Sequence, residues 1–63
     1  MEQHLSEIKQ AYTAILFEMS GQGFGGPRHR DTAYALSAQL ASRLTGDEIS
    51  PDKVRLAVRV RDA

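Results

Sequence analysis

Gly21-Gln22-Gly23-Phe24-Gly25-Gly26-Pro27-Arg28-His29-Arg30 holds four of the five glycines in a chain of 63 residues. Each glycine inside a helix or strand costs about 0.5–1 kcal/mol relative to alanine, so no regular element runs through this stretch. It divides the chain into an N-terminal helix and a C-terminal helical unit. It also sets Phe24 and a small cationic cluster where a partner could meet them. The glycines match G-x-G-x-x-G literally, but a dinucleotide fingerprint needs a strand before it and a helix inside a βαβ unit. Here a helix precedes the glycines and the chain is too short for a parallel sheet, so they read as a flexible joint or a tight reversal.

Upstream, Leu5, Ile8, Tyr12, Ile15 and Met19 recur at spacings of three and four, with Ala11 and Leu16 beside them. That is the pattern of an amphipathic helix over about residues 2–20. The same spacing would serve as a short dimer seam, although core packing is the plainer use. Phe17 falls nearly opposite the stripe. It is either a contact residue or a lid on the glycine-rich loop.

Downstream, Asp31 or Thr32 would cap a second helix of about residues 32–45, and Gly46 would stop it. Ala33, Leu36, Leu40 and Leu44 form its main stripe. Tyr34, Ala38 and Ala41 widen that stripe with side chains small enough to admit a neighbouring helix.

The third element, about residues 51–61, carries two conflicting signals. Ser50-Pro51-Asp52 is a strong helix start. Val54, Leu56, Val58 and Val60 alternate with Arg55, Ala57 and Arg59 as in a strand, which would have to pair across a dimer. The capping signal favours helix. The expected fold is therefore all-α: a helical hairpin plus a shorter third helix, in one small domain.

A chain of 63 residues without cysteine has neither a disulfide framework nor a thiolate metal site. It buries only about 60% of its unfolded surface, so its stability is marginal and a second copy or a partner would help complete it. The longest apolar run, Ala14–Phe17, is far too short to span a bilayer, and the N-terminus lacks the features of a secretion signal. A cytoplasmic location is expected. Eight basic and eight acidic side chains balance. Glu2, Glu7 and Glu18 against Lys9 leave residues 1–27 at −2, and seven basic side chains against five acidic ones leave residues 28–63 at +2. His4 and His29 lie far apart and suggest no metal site, and no cofactor is expected. A triad built on His29, Asp31 and a serine is rejected, because a mobile loop does not preorganise a nucleophile and a base.

Two functional classes follow. In the first, the protein is not an enzyme and regulates by binding another protein through Phe17, Phe24, Arg28, His29 and Arg30, since aromatic and arginine anchors dominate such interfaces. In the second, it is a dimeric DNA-binding regulator. Helix two, the turn and the third element outline a helix-turn-helix in which Lys53, Arg55, Arg59 and Arg61 meet phosphates or base edges. The turn is longer than usual, and Asp47, Glu48 and Asp52 oppose a nucleic-acid backbone. The run from Ile49 to Val58 also faintly resembles the end of a histone fold, for which the middle helix is too short. Neither class calls for a small-molecule substrate or a membrane.

Gly21-Gln22 followed by Gly25-Gly26-Pro27-Arg28-His29, with Tyr34 entering the next helix, resembles the interhelical segment of TraM-type quorum-sensing antiactivators. The resemblance covers about a dozen residues and does not extend to Asp47–Ala63. It implies a small helical homodimer, without catalysis, that binds a LuxR-type transcription factor and blocks its contact with DNA.

Overall fold

The computed structural model describes residues 4–59, and these fold into three helices with no strand among them. Helix α1 spans Leu5–Gly21, α2 spans Arg30–Thr45 and α3 spans Pro51–Arg59. α1 and α2 form a hairpin, and α3 packs against both. Glu2, at the expected start of helix one, lies outside the described residues.

α1 ends in a Schellman motif. Gly23 takes φ +87, Phe24 N–H donates to Met19 C=O at 2.7 Å and Gly23 N–H donates to Ser20 C=O at 3.1 Å. Only glycine adopts that left-handed conformation without a Cβ penalty. Gly25 serves a different need, because a Cβ there would stand 2.4 Å from Ser20 Oγ. The stretch read as a flexible joint or a tight reversal is thus a tight, hydrogen-bonded reversal.

The chain then makes a 3-10 turn over Pro27–His29 and enters α2 directly. This corrects the expected start of helix two. Asp31 lies inside the first turn and not at the cap, where it complements the positive end of the helix, and no side chain caps this end. Proline at the head of the 3-10 turn presets a helical φ one turn early, so helical geometry begins upstream of the aspartate.

Gly46 stops α2 as its position suggested. Its φ is +77 and its N–H donates to Ser42 C=O at 2.9 Å. Ser42 Oγ accepts a hydrogen bond from Ile49 N–H at 2.9 Å, which draws the connection back so that Ile49 reaches the core. Lys53 N–H donates to Ser50 Oγ at 3.2 Å and Val54 N–H to Ser50 C=O. Ser50 caps α3 with Pro51 as its first residue. This overturns the strand alternative for residues 51–59. The alternation of valines was outweighed by a cap, a proline and the absence of a neighbouring strand among the described residues. Val60 and Arg61 lie outside the described residues.

The core joins Ile8 and Ala11 of α1, Ala38 and Ala41 of α2, Ile49, and Val54 and Ala57 of α3. Four of these seven are alanines. Ile8, Ala41 and Val54 are fully buried. Within the protomer the α1 stripe packs inward, with Ile8 and Met19 buried and Leu5 and Tyr12 against the core. The α2 stripe is corrected in detail. Ala33, Ser37, Ala38 and Ala41 face inward, while Leu36 and Leu44 are 39% and 57% exposed. Small side chains let helix axes approach closely, and the leucines are left to the rim.

Candidate functional site

The residues expected to meet a partner fall into two groups. Phe24 follows the α1 stop and sets its ring edge-on to His29, with centroids 5.2 Å apart and planes at 84°. Such a pair stabilises by about 0.5–1.5 kcal/mol beyond area burial. Phe24 remains 48% exposed, so one side of the ring is open to solvent. Arg28 is exposed in the 3-10 turn beside it. The glycines therefore place an aromatic and a basic side chain together on one tight reversal.

Arg30 faces another neighbour. It begins α2 and lies near the stacked rings of Tyr12 and Tyr34, whose centroids are 5.5 Å apart. Partial burial pushes the Tyr12 hydroxyl above the ordinary tyrosine range. The adjacent Tyr34 raises it further, and the Arg30 guanidinium pulls the other way. Nothing in the periodicity marked this stack, since both tyrosines read only as members of apolar stripes.

Phe17 stands apart. It is 82% exposed and makes no ring contact with the described residues, so it is not a lid on the loop. An open groove of about 910 Å³ runs along α1 past Leu5, Thr13, Ala14 and Phe17. All its described lining comes from that one helix. The outer side of a single helix is convex, so this is an open surface and not an enclosed ligand cavity.

On α3, Arg55 and Arg59 lie one turn apart, as a helix requires. Arg55 is tied to Asp52 at 3.3 Å, whereas Arg59 is exposed and Lys53 is half-buried. Arg61 lies outside the described residues.

A clasp at the far end of the hairpin lies outside every motif considered above. His4, at the head of α1 with φ +63, donates from Nε2 to the Asp47 carboxylate just past the α2 stop. Glu7 lies 3.8 Å from Nδ1 of the same ring. The contact spans 43 positions of sequence and no local pattern encodes it.

Among the described residues no His, Cys, Asp and Glu grouping could hold a metal ion, and no helix is long and apolar enough to cross a membrane. No family model matches the chain, and no curated protein or solved structure matches it.

Proposed function

We propose that this chain is a non-enzymatic cytoplasmic regulator that acts by binding another protein. The observation that carries this reading is the exposure of Phe17 and Phe24 on so small a domain. A large aromatic in water gains about 1.5–3 kcal/mol when a partner covers it, and aromatics and arginines anchor most interfaces. Arg28, His29 and Arg30 would supply the polar side of the contact. The resemblance of Gly21–His29 to the TraM-type loop suggests the partner class, a LuxR-type transcription factor, and the outcome, loss of its DNA binding.

The test is titration of the purified protein against such a transcription factor from the same cell. Wild type should bind and release the factor from its DNA site. Phe17→Ala with Phe24→Ala should weaken binding by at least about tenfold, or about 1.4 kcal/mol. Undiminished binding by that variant removes the proposed surface.

The helical state of α3 favours a second reading, DNA contact, because it sets Arg59 free in solvent one turn beyond Arg55. Asp52 works against this by holding Arg55. DNA binding would weaken with salt at a log–log slope of about −0.9 per phosphate contact. A complex anchored by aromatics would show little such slope.

A further inference from the structure

The α1–α2 hairpin has two flanks, and among the described residues α3 covers only one. Val58 of α3 lies with Lys9, Tyr12 and Thr13 of α1. Ser42 of α2 binds Ile49 on the same side, and Ala38 is buried there. Leu36 stands about 160° from Ala38 around α2, given 3.6 residues per turn, so it lines the other flank, while Leu40 next to it is partly buried against the core. Leu44 continues the row. On α1, Ala14 stands about 160° from Tyr12 and Glu7 about 140°, so both belong to that same uncovered flank.

The two helices are antiparallel, since His4 at the head of α1 meets Asp47 just past the end of α2. Levels along the hairpin follow from that junction. Glu7 lies three residues inward on α1 and Arg43 four residues inward on α2, so they share a level. Ala14 and Leu36 share another, about ten and eleven residues inward. The flank therefore has an apolar column on α2 and a smaller, partly acidic column on α1.

We infer that this flank is the surface on which a second copy of the chain docks. A twofold axis parallel to the hairpin lays α2 of each copy against α1 of the other. The leucine row then faces the small Ala14 column, and Arg43 faces Glu7 of the other copy, twice by symmetry. Arg43 has no ion partner among the described residues, and Glu7 is half exposed with only a distant contact to His4. Every neighbouring pair of helices in the resulting four-helix bundle is antiparallel, the arrangement that helix dipoles and short connections favour. A different protein would have to supply this charge pattern by chance, whereas a second copy supplies it by symmetry.

Two helices about 25 Å long and about 9 Å apart offer a face on the order of 500 Å². That lies below the roughly 800 Å² per partner of standard interfaces, so the dimer should dissociate on dilution. This inference does not depend on the Phe17 and Phe24 surface.

Sedimentation equilibrium across about a hundredfold range of concentration tests it. Wild type should pass from monomer to dimer. Leu36→Gln with Leu44→Gln should weaken association by about tenfold or more while far-UV circular dichroism stays unchanged, because both leucines are already exposed. Arg43→Glu should weaken association too, and adding Glu7→Arg should restore it. The charge pair decides the matter if the leucine variant unfolds. Wild type that remains monomeric throughout overturns the inference and leaves the flank to another kind of partner. So does a dimer untouched by the leucine changes, or a charge reversal without rescue.

Discussion

The two sides of α2 use opposite kinds of side chain. Ala33, Ser37 and Ala41 are fully shielded, while Leu36 and Leu44 of the same helix meet solvent. A helix that buries its small residues gains less from apolar area per residue, at about 25 cal/mol per Å², than one that buries its leucines. What it gains is closeness. Alanine opposite alanine brings backbones together and multiplies dispersion contacts at interior density. The comparison teaches that in this chain the small side chains specify the protomer and the large exposed ones are available for association.

The buried side gives the sharpest way to break the comparison. Ala41→Leu forces three extra carbons into a closed contact and should cost about 3 kcal/mol, read as a lowered urea midpoint. A change within about 0.5 kcal/mol would mean the helices do not approach closely at this point.

The helix stops come next. Gly23→Ala puts a Cβ on a left-handed residue and should cost about 1–2 kcal/mol, as should Gly46→Ala. Gly21→Ala, where a Cβ meets open space, should be neutral or slightly stabilising. Equal effects at Gly21 and Gly23 would undo the assignment of the Schellman motif.

Ser37 offers a change of opposite sign. Its Oγ is fully buried and has no hydrogen-bond partner among the described residues. Ser37→Ala removes that unsatisfied group while keeping the packing, and should raise stability by about 1 kcal/mol. A loss of stability would show that the hydroxyl is satisfied by the helix backbone.

The exposed side should respond least. Leu44→Gln should move the monomer's urea midpoint by less than about 0.5 kcal/mol equivalent.

The tyrosine stack adds a pH test. The hydroxyl of Tyr12 is harder to ionise in the folded state than its ordinary value of 10.0. The folded state therefore holds this proton longer than the unfolded chain does. The stability it contributes is complete below pH 10 and is lost as pH rises beyond it. Tyr12→Phe should lessen that alkaline loss of stability in pH-dependent unfolding, and an unchanged alkaline profile would remove Tyr12 as its source.

The three helices were legible because their punctuation is local. Gly23, Gly46, Ser50 and Pro51 act through φ, a missing Cβ or one capping bond, and each can be read from its nearest neighbours. The α1 stripe was legible for the same reason. Of the candidate contact residues, sequence position alone exposed Phe17 opposite the stripe and tied Phe24, Arg28 and His29 to one reversal. It could not show that Phe24 leans on His29, nor that Arg55 is held by Asp52.

Tertiary structure alone decided which face of α2 turns inward. Periodicity ranks leucine above alanine, but close helix approach reverses that order, and approach distance is a property of two helices at once. It alone joined His4 to Asp47 and Tyr12 to Tyr34, because such contacts depend on how the hairpin closes. It also settled α3 as a helix over residues 51–59, since a strand needs a neighbour to take its hydrogen bonds and this fold provides none among the described residues.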